Sequence, residues 1–215
     1  GICEADSALY DWMESHQGVE RAKMETMAVS PDKGAIYDGG IFDIDLSTIV
    51  PMVADPGNPD MGIPSDPTNG ANISDIGDVK IDIAYGGSCT AGKADDIGYY
   101  AEVCAAAEVA GLVVDQSVKF YIQYGSGQVK DLAISNGWHD LFERVGVNVI
   151  NPGCGACIGA GPGVSITPEQ VTVSAINRNF QGRSGPGKLY LASPLTVAAS
   201  AFIGTITSWH EELFN

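Results

Sequence analysis

Apolar and polar positions along this chain follow two different periods, and the change of period marks its organisation. Residues 5–27 bring Leu9, Trp12 and Met13 onto one face at helical spacing, and Ser30-Pro31 ends the segment, so a helix is predicted there. Residues 36–49 alternate instead, with Ile41, Asp43 and Asp45 set against Phe42, Ile44 and Leu46, which predicts extended structure. A stretch with prolines at 51, 56, 59, 64 and 67 then reads as a long irregular connection, residues 51–77. Loops of that length inside a compact protein are usually functional or cross between lobes. The expected organisation is therefore 1–77 as the tail of a preceding domain with its connecting segment, and 78–215 as the main domain.

From residue 79 the pattern is regular. Strands are predicted at 79–85, 118–124, 147–150, 171–176 and 189–191, and helices at 95–110 and 129–145. Ser193-Pro194 offers an N-cap and a first-turn proline for a further helix through Phe202. The apolar run at 195–206 is too short and too rich in small residues for a membrane span, so a buried helix is expected. Strands alternating with helices predict an α/β protein, a three-layer α/β/α sandwich on a mainly parallel sheet.

Composition narrows the partners. A net charge of −16 over 215 residues argues against nucleic acid or an anionic membrane surface. Five cysteines do not make an even disulfide framework, and two form a C-x2-C pair, which favours a reducing compartment, the cytoplasm. No signal-peptide pattern is seen at the start; Gly1-Ile2-Cys3 runs straight into a helical pattern without an initiator methionine, as a piece of a longer protein does.

The candidate chemistry stands in the turns at the strand ends. Cys89 comes after the first strand of the regular region, in Tyr85-Gly86-Gly87-Ser88-Cys89-Thr90, and Gly125-Ser126-Gly127 after the second. Cys154 and Cys157 come after the third, and Asn177-Arg178 after the fourth. Ligands of open α/β sheets bind beyond the carboxyl ends of the strands, so residues far apart in sequence share one edge. Strand-end turns rich in glycine let thiolates and backbone N–H groups converge on one object, which suits an iron–sulfur cluster. Three ligands in place of four would leave one iron open to substrate. Taken alone, the C-x2-C pair also fits a redox pair, half a zinc site or two small core residues. A structural zinc takes four ligands, and His139 falls in a predicted helix while His16 and His210 lie in terminal segments. Cys104 reads as a small buried helix residue, and Cys3 carries no information.

Two of the four arginines, Arg178 and Arg183, fall in one turn of this acidic chain. Salt bridges to surface carboxylates are the plain reading; their place beside the cysteine edge points instead to bidentate carboxylate binding, in a pocket suited to a di- or tricarboxylate. Asp95-Asp96 stand where a helix begins and there stabilise its dipole. Asp43 and Asp45 read as the solvated face of an edge strand, and Ser126 as a weak anion-site candidate at a helix N-terminus.

Three blocks together resemble a known family. Gly87-Ser88-Cys89-Thr90, Pro152-Gly153-Cys154-Gly155-Ala156-Cys157-Ile158-Gly159, and Asn177-Arg178-Asn179-Phe180-Gln181-Gly182-Arg183 followed by Ser193-Pro194 resemble the aconitase and isopropylmalate dehydratase superfamily in order and spacing. Residues 37–51, with Asp45-Leu46-Ser47 and then Pro59-Asp60, are similar to the stretch that precedes the first cysteine there. The resemblance implies the aconitase iron–sulfur domain fold and a [4Fe–4S] cluster held by Cys89, Cys154 and Cys157. It also implies a substrate-facing iron acting as a Lewis acid on a departing hydroxide. Asn177 would lie against the cluster, with Arg178 and Arg183 on the carboxylates of a hydroxy-polycarboxylate substrate. Where the family usually has an asparagine after Cys-Thr, this chain has Ala91, followed by Gly92-Lys93. Histidines and acids of preceding N-terminal domains, and the serine base of a swivel domain or small subunit, would complete the site. The leading expectation is thus a fragment of an iron–sulfur hydro-lyase, inactive alone. A non-catalytic module that keeps the cluster as an iron or oxygen sensor is the second reading, and a zinc-stabilised structural domain the third.

Overall fold

Gly18 takes a left-handed φ of 64° and divides the first helical pattern in two. The computed structural model, which describes residues 4–40, 42–63 and 69–215, shows α1 (Ser7–Gln17) and α2 (Arg21–Met27) in place of one helix. Cys3, Ile41, Pro64 and Pro67 lie outside the described residues. Asp6 caps α1 by accepting from the Leu9 N–H at 2.9 Å. Arg21 joins the two helices, donating to Asp11 at 2.7 Å while its guanidinium stacks 5.2 Å from the Tyr10 ring centre. Among the described residues the extended structure expected at 36–49 is not formed. A 3-10 turn at Leu46–Thr48 stands there, and Asp45 accepts from both the N–H and hydroxyl of Ser47. Phe42, Ile44 and Leu46 are exposed, so no buried face exists to hold an alternating pattern as a strand.

This segment belongs to a first compact unit, Gly1–Thr48; the second is Ile49–Asn215. That division falls well before residue 77, because the proline-rich stretch supplies two strands to the second unit's sheet. β1 (Met52–Ala54) and β2 (Gly70–Asn72) pair antiparallel, and β1 also pairs antiparallel with the last strand, Val53 opposite Ala192. Val53 is buried in the core, and the β1 backbone satisfies N–H and C=O groups that an open edge would leave bare. Three-residue strands carry too few positions for alternation to reveal them.

After these come β3 (Ile83–Gly87), the single turn α3 (Ser88–Ala91), α4 (Ala94–Val109) and β4 (Lys119–Gln123). Next are α5 (Gly127–Ser135), α6 (Trp138–Arg144), β5 (Asn148–Ile150), β6 (Val171–Ser174), β7 (Lys188–Ala192) and α7 (Pro194–Ile203). The helix expected over 129–145 breaks at Asn136-Gly137, where Gly137 has φ 72°. Among the described residues the sheet has seven strands in the order β2-β1-β7-β6-β3-β4-β5, and β3 to β7 run parallel. The mixed α/β class with a mainly parallel sheet is as expected.

Alternation along the strands separates two cores. Ala84, Phe120, Ile122 and Val173 join side chains of α4, α5, α6 and α7 in the larger cluster. Ile83, Tyr85 and Leu189 point the other way, into a smaller cluster with Ala156, Ile176 and Cys157. One face therefore carries the helices. On the other face the smaller cluster carries the cysteine loop and its 3-10 turn. Among the described residues no helix is long and apolar enough to cross a membrane.

Candidate functional site at the carboxyl edge of the parallel sheet

Register brings the candidate segments together. Gly87 lies beside Gln123, Gln123 beside Ile150, and Tyr85 beside Ser174, so β3, β4, β5 and β6 end on one edge. Cys89, Ser126, the Cys154–Cys157 loop and Asn177-Arg178 all leave the sheet there, as the sequence predicts.

The first turn is strained. Gly87 has φ 94°, and Ser88, at φ 67°, is the one non-glycine residue with positive φ among those described. A Cβ on Gly87 would stand 1.9 Å from the Gln123 carbonyl oxygen, so only glycine lets the chain pass β4. Cys89 emerges exposed on α3, its Sγ 3.9 Å from the Thr90 hydroxyl. Tyr100, fully buried on α4, spans this turn: its hydroxyl accepts from the Gly87 N–H at 3.0 Å and donates to the Ala91 carbonyl at 3.2 Å. Burial foremost pushes the Tyr100 phenol far above its ordinary range. Ala91 is buried in the larger cluster.

The second cysteine loop rests on a buried polar pair. Gln123, 1% exposed, donates through Nε2 to the carbonyls of Asn151 (3.2 Å) and Gly153 (3.1 Å). Its Oε1 accepts from the Tyr85 hydroxyl at 2.5 Å. Gly155 passes so close that a Cβ would stand 2.8 Å from the Tyr85 hydroxyl and 2.9 Å from Gln123 Oε1. Burial foremost, and then the neighbouring Cys157, push the Tyr85 phenol up. A 3-10 turn, Ala156–Ile158, carries Cys157, which is half-buried, whereas Cys154 is exposed; both thiols are free.

The arginine loop is laced to the cysteine loop. Ser184 donates its hydroxyl to the Ala156 carbonyl at 2.6 Å, and its own carbonyl accepts from the N–H (2.9 Å) and hydroxyl (3.1 Å) of Ser165. Arg183 is half-buried, its guanidinium 5.5 Å from the Phe180 ring centre, and its buried Nε has no hydrogen-bond partner. Arg178 and Asn177 are exposed. Among the described residues Arg21 and Arg144 are ion-paired whereas Arg178 and Arg183 are not, so the salt-bridge reading of the latter two is not supported. Ser88 Oγ, beside Cys89, is likewise buried without a partner.

Other sequence candidates sit elsewhere. His139 on α6 meets the Tyr124 hydroxyl at 2.9 Å and lies 3.7 Å from Glu143. His16 stacks on Trp12 in α1, and His210 is exposed beyond α7. Cys104 is fully buried, and burial pushes its thiol up. Asp96 accepts from the Lys93 N–H at 3.1 Å, the helix-start role expected of it. Ser126 spends its hydroxyl oxygen on the Val129 N–H, capping α5. Tyr85, Tyr100, Gln123 and Ser184 are not among the residues that sequence reasoning singles out; the signal available was Gln123 itself, a polar residue inside an apolar strand.

Among the described residues no group of three or more His, Cys, Asp or Glu side chains is arranged to hold a metal ion. The three thiols share an edge without being gathered at one point. In kind, the donor set fits an iron–sulfur group: three free cysteines, each on a glycine-flanked turn.

A family-wide profile of the aconitase family (aconitate hydratase) matches residues 1–204. The chain is 33% identical over 97% of its length to the methanogen homoaconitase large subunit of Methanocaldococcus jannaschii, and covers 47% of that protein. It is 34% identical over 99% of its length to the mitochondrial homoaconitase of Neurospora crassa, covering 29% of it. With the 3-isopropylmalate dehydratase large subunit of Acetivibrio thermocellus the identity is 33% over 97% of this chain and 45% of the relative. The chain thus spans less than half the length of these relatives. On the family-wide match and these identities, the chain belongs to the aconitase family.

Proposed function

We propose that this chain is the cluster-bearing part of an aconitase-type hydro-lyase that dehydrates and rehydrates a hydroxy di- or tricarboxylic acid. The observation that carries this reading is the shared strand edge: Cys89 and the Cys154–Cys157 loop leave parallel strands that end together, with the arginine loop hydrogen-bonded to the second of them. Cys89, Cys154 and Cys157 would hold a [4Fe–4S] cluster, and when bound it would supply Lewis acidity toward a departing hydroxide. Arg178 and Arg183 would bind the substrate's carboxylates through their forked guanidinium groups. Asn177 lies beside them as a polar contact to the same ligand. Residues 49–215 form the cluster-bearing domain and 1–48 the end of a preceding one. The partners are the remaining N-terminal domains and a swivel domain or small subunit. Two relatives being named large subunits, and the chain's coverage of under half of each, support this. Free cysteines suit a reducing compartment, and the cytoplasm is the proposed one.

Anaerobic reconstitution with iron and sulfide tests the reading. One four-iron cluster per chain is expected by iron and sulfide analysis. Cys89→Ser, Cys154→Ser and Cys157→Ser should each abolish the visible absorption, and Cys104→Ser should leave it. Loss of the cluster in Cys104→Ser with retention in Cys89→Ser would overturn the ligand set.

A further inference from the structure

We propose that three buried side chains act as positioning residues, each setting the backbone of one cysteine: Tyr100 for Cys89, Gln123 (held by Tyr85) for Cys154, and Ser184 for Cys157. The inference rests on the cluster reading above for its purpose, and on the hydrogen bonds of the protein itself for its geometry. Tyr100 brackets Cys89 by bonding two residues before it, at Gly87, and two after it, at Ala91. Gln123 grips the carbonyl of Gly153, the residue directly before Cys154, and that of Asn151 further back. Tyr85 donates to the same amide's oxygen and so fixes which end of it faces the loop. Ser184 grips the carbonyl of Ala156, the residue directly before Cys157.

The three share features that local folding does not require. Each side chain reaches a cysteine turn from another element, over sequence separations of 9 to 30 residues. Each is buried, Tyr100 completely and Ser184 to within 5%, so its polar group carries a desolvation cost that the loop bonds, joined at Gln123 by the Tyr85 bond, offset. Turns of glycine and small residues have few other means of being held, since they offer little side chain to pack. Separate anchors also suit ligands that arrive from different strands: each thiol is aimed without depending on the others, and a thiol aimed in advance loses less freedom when it binds.

The test compares thiol reactivity, one cysteine at a time, in the metal-free protein. Maleimide alkylation is followed by peptide mass spectrometry for wild type, Tyr100→Phe, Gln123→Leu, Tyr85→Phe and Ser184→Ala. Freeing one anchored turn should raise the rate at its own cysteine about five-fold, the factor for one net hydrogen bond of about 1 kcal/mol. Tyr100→Phe should act on Cys89, Gln123→Leu and the milder Tyr85→Phe on Cys154, and Ser184→Ala on Cys157, with the other two rates within about two-fold of wild type, well inside that factor. Each variant serves as the control for the others, so a general loosening, which raises all three rates together, overturns the proposal. So do unchanged rates in Tyr85→Phe and Ser184→Ala, even where Gln123→Leu fails to fold. On reconstituted protein, the same variants should release iron to a chelator several-fold faster while keeping the absorption spectrum of the cluster. If wild type takes up no cluster, the functional reading fails, and the alkylation pattern still decides the positioning.

Discussion

At the scale of single residues, buried polar atoms without partners are the most informative. The Arg183 Nε is one, on a side chain already steadied by the Phe180 ring. If the Arg183 guanidinium binds a substrate carboxylate as a fork, Arg183→Lys supplies charge without the second parallel bond. Affinity for a tricarboxylate should fall by about 1.5–3 kcal/mol, roughly 10- to 150-fold. Calorimetry on the cluster-loaded enzyme with its remaining domains restored checks this, and unaltered affinity would remove Arg183 from the site. A second residue-scale expectation concerns pH. Burial holds Cys104 neutral well above its ordinary 9.0, and Tyr100 above its ordinary 10.0. A raised folded pKa gives a contribution that is complete below the unfolded value and lost as pH climbs past it. Stability should therefore decline from about pH 9 upward, by about 1.4 kcal/mol per pH unit for each group held neutral. Urea midpoints measured between about pH 7.5 and 10.5 should show this slope, and Cys104→Ala should remove the earlier part of it. An identical slope in that variant would mean Cys104 ionises freely in the fold.

Elements show where pattern and punctuation each succeed. Ser193-Pro194 was legible as a helix start: Ser193 accepts from the Thr196 N–H at 3.3 Å and Pro194 opens α7. That helix packs Val197, Ala198, Ala199, Ser200 and Ala201 fully into the larger core, so its first turn matters to the whole sheet. Ser193→Ala should cost about 1 kcal/mol in a denaturant titration with an unchanged m-value, and a loss below about 0.3 kcal/mol would show that proline and packing suffice. Elsewhere periodicity ran past its own punctuation. Gly18 and Asn136-Gly137 both interrupt helical patterns that apolar spacing alone carries straight through. β1 and β2 were hidden because pairing, more than side-chain alternation, makes them strands. At 36–49 the reverse holds: alternation is present, yet Phe42 and Ile44 stay exposed and no strand forms among the described residues. The candidate residues of the site stand out in the sequence because glycine-set cysteines and paired arginines are rare in an acidic chain. Their supports, Gln123, Tyr85, Tyr100 and Ser184, do not, because their roles depend on strand register and on loops meeting across the sheet.

The whole molecule divides the labour of the proposed reaction unevenly. Under the proposed function this chain would bind a carboxylate and hold the cluster that acts on the hydroxide; among the described residues none is placed to remove a proton from the neighbouring carbon. General base catalysis needs a proton acceptor within hydrogen-bond reach of the substrate and shielded from water. His139 is held by Tyr124 among the helices, and His210 lies exposed beyond α7. Lys130 and Ser184, both near the edge, are engaged as donors to Asn151 and Ala156. Ser126 caps α5. Ser88 Oγ stands beside Cys89, but no partner is placed to take its proton, and a neutral hydroxyl without one is a poor base. The relatives are more than twice as long as the stretch matched, which leaves ample room for the base in the portion beyond it. These 215 residues, even with a full cluster, should therefore show no detectable hydration of an unsaturated tricarboxylate. Activity should appear when the remaining domains or subunit are added back. The assay follows loss of the unsaturated acid's ultraviolet absorption with cluster content measured in parallel. Robust turnover by the chain alone would mean that the base lies within it, with Ser88 the first residue to replace.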